Sequence, residues 1–447
     1  MSKSALDVGV PGGTTAPSAR LPPAVLLPKT LQGIGFALSR PWTLRQAARR
    51  YGEVFALHIP VFGHTVVVAD PELAKPVFMA STDDLVNIQP NLSRVLGAGS
   101  VFALDRHEHR SRRKLLAPPF HGKSLSNYER IAEAETCRDA ANWPMGQEFP
   151  TLEAMNRITL NVILRAVFGA EGTDFDDLRA LVPSWVTLSS RLALLPQPST
   201  TFGRHSPWGR LAERRRKIDK VVYRLIETAQ ADPHLEQRTD VLAVLLRSRY
   251  DDGRSMPRSE ICDELLTLIG AGHETTAATL AWAFERLRRH PELVAALTAE
   301  ADGDGRELRQ ATILEVQRVR TVIDITGRHV ATALFGLGEW RIPKGYSILV
   351  SISQLHSHAE AFPDPQRFDP YRFLGDRPPS LAWAPFGGGT RRCVGAALAN
   401  AEMDVVLRTV LRRFVLDSTA DPAEKMHSRG VAYTPKRGGR IVLRPRA

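Results

Sequence analysis

Cysteine is scarce in this chain. Cys137, Cys262 and Cys393 are the only three among 447 residues, far apart and odd in number. That excludes a disulfide framework and suits a reducing compartment, expected to be the cytoplasm. No Cys-x-x-Cys pair occurs, so no cysteine-built zinc site is expected. Runs of about 18 apolar residues are lacking, as is a signal-peptide pattern, so no transmembrane anchor is expected. Internal repeats are missing. So are runs of five basic residues and any recognisable nucleic-acid module, and no nucleic-acid partner is expected despite a net charge of +11.

What is present is an ordinary globular composition, 43% hydrophobic and 24% charged, sufficient for a large core. Residues 1–25, rich in Gly, Pro, Ser and Ala, read as a disordered tail, and residues 26–447 as one domain. A short helix is predicted over 41–51. Two β-rich runs, 53–59 and 64–69, flank a turn at Gly63, and a helix over 71–79 opens with Asp70 as N-cap and Pro71 behind it. Residues 81–105 carry no clear period. A basic helix follows over 108–116. Helical patterns then dominate near 125–142, 151–170, 176–194, 206–231 and 238–249, with a proline-containing loop between 194 and 208.

The longest helix candidate spans 257–289, apolar over much of its surface yet interrupted by Asp263, Glu264, His273 and Glu274, which points to a buried central helix rather than a membrane span. Its middle reads Ala271-Gly272-His273-Glu274-Thr275-Thr276. Glycines weaken a helix and paired threonines divert its hydrogen bonds, so a locally opened, bent helix is expected there, beside an acid and an alcohol. Taken alone, such a stretch is also a common packing feature.

Near the C-terminus, Phe386-Gly387-Gly388-Gly389-Thr390-Arg391-Arg392-Cys393-Val394-Gly395 runs into a helix pattern over 396–414. A cysteine just before a helix N-terminus, with Arg391 and Arg392 beside it, is placed to be a thiolate. The glycines allow close backbone approach to something flat and bulky. The loop lacks the Lys-Ser/Thr ending of a phosphate loop. A lone cysteine is often only a small core residue; a single thiolate in such a loop also suits a haem iron.

The spacing Phe386, Gly389, Arg391, Cys393, Gly395 resembles the haem-binding loop of the cytochrome P-450 superfamily, and Ala271 to Thr276 resembles its oxygen-binding groove, in the right order. The resemblance covers residues from about 30 to the end and points to a soluble, actinobacterial, mycobacterial-looking member. It implies a mainly α fold round a haem b, with a small N-terminal β region, and a monooxygenase acting on a lipophilic small molecule. Cys393 would ligate the iron. His109, Arg113, Arg328 and Arg391 would meet the propionates, and Ala271 would lie in the oxygen groove. Glu274 and Thr275 would deliver protons. Electrons from NAD(P)H would arrive through a ferredoxin or flavodoxin and its reductase, with the basic surface from Arg110 to Lys114 and Arg392 facing that partner.

Glu315, Arg318 and Arg367 match the superfamily's structural Glu-x-x-Arg and Pro-x-Arg-Phe elements. The proline pair often found after Glu-x-x-Arg is here Thr321-Val322, and nearby Asp324 is unusual for a pocket-lining stretch; it either faces away or binds a polar substrate group. Residues 429–444 are expected to form a β-hairpin closing the pocket. Apolar pocket candidates are Val101, Phe102, Leu266, Leu268, Ile269, Val322, Ile323 and Val431. Two other classes stay open: a haem-binding carrier or sensor without turnover, and a basic nucleic-acid-binding protein.

Overall fold

In the computed structural model the described residues are 19–446, apart from 123, 170–171, 194, 196–202, 376–377 and 380. Most of the proline-containing loop expected between 194 and 208 therefore lies outside them, as does the expected tail up to 18.

The central helix runs without a break over Arg258–Leu287. It is buried on nearly every side and packs along its length against the helix Thr151–Phe168. The expected local opening does not form. Thr275 Oγ1 donates to the Ala271 carbonyl at 2.8 Å, a bond to the preceding turn that leaves the helix continuous. Gly272 is small for a packing reason: a Cβ there would come within 3.1 Å of Ile163 on the neighbouring helix. Around this pair stand Ser124–Ala140, Thr173–Ala193, Pro207–Ala231, Glu307–Val319 and Ala396–Arg413. Pro291–Asp302 is a further helix that the pattern reading passed over. The fold is predominantly helical.

The largest sheet among the described residues has five strands, in the spatial order Val54–Ile59, Gly63–Val68, Ser347–Ser351, Ile325–Val330, Leu85–Asn87, and the other sheets are two-stranded. The expected hairpin forms its edge, with Val54 opposite Val68. Asp70 caps the next helix, its carboxylate accepting from Leu73 N at 2.7 Å. The pairing of Gly63–Val68 with Ser347–Ser351 is parallel and ties the N-terminal strands to the C-terminal half.

Three expectations change. The first helix is longer than 41–51, covering Lys29–Tyr51 with a kink at Ser39. The chain is already paired before residue 25, since Arg20 exchanges two backbone hydrogen bonds with Arg341. The C-terminal hairpin is shifted: Met426–Ser428 pairs with Tyr433–Pro435 around a turn at 429–432, whereas Arg440–Ile441 pairs with Phe149–Pro150 and Leu443–Pro445 with Phe414–Leu416. No helix among the described residues is long and apolar enough to cross a membrane.

Candidate active site

The loop from Phe386 to Gly395 is held from behind. Gly389 has φ +62° and lies so close to the helix Pro71–Met79 that a Cβ would sit 1.7 Å from the Phe78 carbonyl oxygen. Gly388 would meet the Phe78 ring at 2.7 Å. The glycines thus allow the loop to approach protein, not only a flat ligand. Cys393 N–H donates to the Phe386 carbonyl at 2.9 Å, closing the loop.

The helix starts at Ala396 with Gly395 as its N-cap, so Cys393 lies just outside the first turn. Its side chain is exposed to a cavity of about 200 Å³ walled by Arg113, Ala117, His121, Arg392 and Asn400. Crowding by protein on the other sides pushes the thiol pKa up. The Gly395 N–H, Arg113 and Arg392 pull it the other way without cancelling the rise. The expected free thiolate is corrected to this extent: the helix end and charges alone do not secure it, and Arg391 is not among the charges acting on the sulfur. Coordination to a metal deprotonates such a thiol outright. A larger cavity, about 420 Å³, lies between Arg138, Asn161, Asp176 and Arg179 and contains none of the residues discussed here.

Arg391 turns instead toward the helix Arg106–Leu116, donating to the Leu104 carbonyl at 2.8 Å and pairing with Asp105. His109, one turn into that helix, is buried. Burial first, and then Arg391, Arg113, Arg328 and Arg110, hold its pKa down at about 3. Arg328 reaches the same place from the sheet, where it pairs with Ile348. Burial and Arg391 hold its pKa at about 10, with Asp105 opposing. The structure therefore brings His109, Arg113, Arg328 and Arg391 within electrostatic reach of one another. Two buried nitrogens there, His109 Nδ1 and Arg391 Nε, have no partner among the described residues. A cluster of cations with unpaired buried nitrogens is a site built for an anion with several oxygens.

On the central helix, Ala271 is exposed and Thr275 half-buried, four residues apart on one face, while His273, Glu274 and Thr276 are buried. Glu274 Oε1 lies 3.2 Å from Arg429 Nε, in the turn of the C-terminal hairpin. Burial raises its pKa, and Arg429 and Arg191 partly offset the rise. Gly430 in that turn packs so tightly on the Ser190 carbonyl that no side chain fits, and Val431 N–H donates to Ser190 Oγ at 3.1 Å.

The residue models of known proteins decide the family. The Cytochrome P450 family model matches residues 22–441. The chain belongs to the cytochrome P450 family. It is 61% identical over 430 residues to cytochrome P450 138 of Mycobacterium tuberculosis (strain ATCC 25618 / H37Rv), covering 96% of this chain and 98% of that protein. It is 38% identical over 442 residues to cytochrome P450 135B1 of the same strain, covering 96% and 92%. Its fold is similar to that of retinoic acid bound cyanobacterial CYP120A1, with a TM-score of 0.85, 23% identity, and coverage of 96% of this chain and 100% of that one. The P450 is a monooxygenase whose chemistry is the activation of dioxygen at a haem.

The superfamily's structural set is corrected in one member. Arg318 grips Glu315 with two bonds of 2.7 Å and donates to the carbonyls of His356, Pro365 and Arg367. The Arg367 side chain is 68% exposed and does not reach Glu315; Arg372 does, at 3.3 Å. The sequence contains two Pro-x-Arg-Phe copies, Pro365–Phe368 and Pro370–Phe373, and the second is the one that pairs. Asp324 faces away from any pocket. It is fully buried and bidentate to Arg40 of the first helix, at 2.8 and 2.9 Å. Leu266 and Ile269 are also fully buried, in the helical core, and do not line a pocket.

His356 went unnoticed in the sequence. Its Nε2 accepts from Ala384 N–H at 3.0 Å, two residues before Phe386, and its Nδ1 contacts the Thr321 hydroxyl at 2.7 Å. Thr321, standing where a proline is frequent, thereby gains a purpose: it fastens the end of the Glu307–Val319 helix to the approach of the cysteine loop. Arg429 and Arg40 were missed for a common reason. Each acts on a residue far away in sequence, and no local pattern marks it.

Proposed function

We propose that this P450 inserts one atom of O2 into a C–H or C=C bond of a lipophilic small molecule. Electrons come ultimately from NAD(P)H through a separate ferredoxin or flavodoxin and its reductase. The observation that carries the reading is the convergence of His109, Arg113, Arg328 and Arg391, two of them with unpartnered buried nitrogens, beside a loop that offers one open thiol.

A haem b fits these residues. Its propionates would meet the cationic cluster as carboxylate acceptors, and Cys393 would supply the sulfur ligand to the iron. Phe386, Gly389 and Gly395 would shape the loop that holds it, and Ala271, exposed on the central helix, would leave room for the group. When bound, the haem supplies dioxygen activation and oxygen transfer. The chain's own side chains manage protons. Burial keeps the Glu274 carboxyl able to hold a proton nearer neutrality than an exposed acid would, and the Arg429 guanidinium limits that rise. The Thr275 hydroxyl, parked on the Ala271 carbonyl, is the donor that faces the open side of the helix. Val101, Phe102, Ile323 and Val431 are half-buried and give the substrate site its apolar walls. Arg392 is exposed near Cys393 and, with Arg110, Arg113 and Lys114, would form the basic face for the electron donor; Arg112 of the same stretch is instead buried on Glu260 and Glu264.

The reduced, carbon-monoxide-bound absorption spectrum tests the ligand set. A red-shifted Soret band, lost in Cys393→Ala, is expected; an unshifted band overturns the assignment. Hydroxylated product with a ferredoxin system, abolished in Thr275→Ala, distinguishes turnover from ligand carriage.

A further inference from the structure

One surface of the molecule is unlike the rest. Of the large apolar side chains left exposed among the described residues, Leu26 (82%), Leu27 (56%), Leu31 (51%), Ile34 (53%), Leu38 (80%) and Trp42 (61%) fall within one short stretch, the densest such group in the chain. From Leu27 to Leu38 they recur at intervals of three or four, so they form one stripe along the outer face of the Lys29–Tyr51 helix. The opposite face, Gln32, Phe36, Arg40, Leu44 and Ala47, is buried. Arg40 anchors it through the buried pair with Asp324.

Along this stretch the charge has one sign. No acidic residue occurs between Asp7 and Glu53. Lys29, Arg45, Arg49 and Arg50 are exposed, and none is in an ion pair among the described residues. Beyond the kink, Trp42, Arg45 and Arg49 follow one another at helical spacing, so apolar and cationic groups share one side.

We infer that this helix docks the P450 on an anionic lipid surface, the stripe entering the boundary between headgroups and acyl chains and the basic side chains pairing with lipid phosphates. An apolar face rimmed by cations without acids is the composition that such a surface selects. A second copy of the chain would set like charges against each other. The segment 1–18 holds few bulky apolar residues, too few to cover the stripe. The inference stands apart from the identity of the substrate.

The test is flotation of the full-length protein with vesicles of mixed phosphatidylcholine and phosphatidylglycerol, and with phosphatidylcholine alone. The protein is expected to float with the mixed vesicles, less so in high salt, and poorly with phosphatidylcholine. The Leu31→Glu, Leu38→Glu double variant is expected to lose at least about tenfold in partitioning while keeping its melting temperature, because both side chains are exposed. If that variant melts low, Ile34→Gln with Arg45→Gln replaces it. Three results overturn the proposal: equal flotation of wild type and variants, no flotation of the wild type, or vesicle binding that appears only after residues 1–18 are removed. Concentration-dependent dimerisation lost in the variant, without vesicle binding, also overturns it and assigns the face to self-association.

Discussion

Arg429 Nε stands 3.2 Å from Glu274 Oε1, so the acid in the middle of the central helix is held by the tip of the C-terminal hairpin. The guanidinium also donates to Thr187 Oγ1 at 3.1 Å, linking a third element. Removing it leaves the carboxyl buried without its cation, and its pKa rises further. Arg429→Gln is expected to lower product formed per NAD(P)H by roughly tenfold while peroxide release increases. The optimum of turnover is expected to move to higher pH. Unchanged coupling with an unchanged pH profile would show that Arg429 only packs.

The two arginines of the duplicated Pro-x-Arg-Phe stretch make a matched pair of variants. Arg372→Ala removes one contact of the fully buried Glu315, which keeps Arg318, and is expected to destabilise by about 1.5 kcal/mol. Arg367→Ala, at an exposed side chain, is expected to change stability by about 0.5 kcal/mol or less. Urea unfolding of both proteins decides between them, and the reverse order would reassign the set.

Burial of the Arg40–Asp324 pair gives it more weight. Asp324→Asn leaves the Arg40 guanidinium without its counter-charge and is expected to cost about 3 kcal/mol. Because Asp324 faces Arg40, substrate affinity measured by spin-state titration is expected to hold in the folded fraction. A selective loss of polar substrates would return Asp324 to the pocket.

Acid sensitivity follows from histidines buried in neutral form, His109 at about 3 and two others. Burial holds His356 at about 3, with Arg318 adding to it, and burial holds His273 at about 4, against the usual 6.5. Below 6.5 the unfolded chain takes up protons that the folded chain refuses. Stability is therefore lost as pH falls from about 6.5 toward 4, at about 1.4 kcal/mol per pH unit for each histidine. His356→Gln is expected to flatten this slope. An equal slope in the variant would place the acid sensitivity elsewhere.

The cysteine loop and the Glu315–Arg318 pair could be read from sequence because each is compact and chemically specific. The central helix was legible as a helix, but it runs without the expected opening, the Thr275 hydroxyl being bonded within the helix to the Ala271 carbonyl. Local pattern could not choose between the two Pro-x-Arg-Phe copies; only the approach of Arg372 to Glu315 does. Arg429, Arg40 and His356 act across long sequence separations, where periodicity says nothing. The C-terminal strands were legible as β, yet two of them pair with segments near Phe149 and Phe414 rather than with each other.

Arg40 belongs to the first helix among the described residues, but its guanidinium is completed by Asp324 and by the Val431 carbonyl, 3.5 Å away. Until those late segments are synthesised, the helix has no counter-charge for its one buried cation. The apolar part of its inner face packs on Phe55, Leu57 and Ile59, made directly after it, whereas the buried cation waits for a partner 284 residues further on. Arg40 is thus the point at which an early-made element is locked to a late-made one.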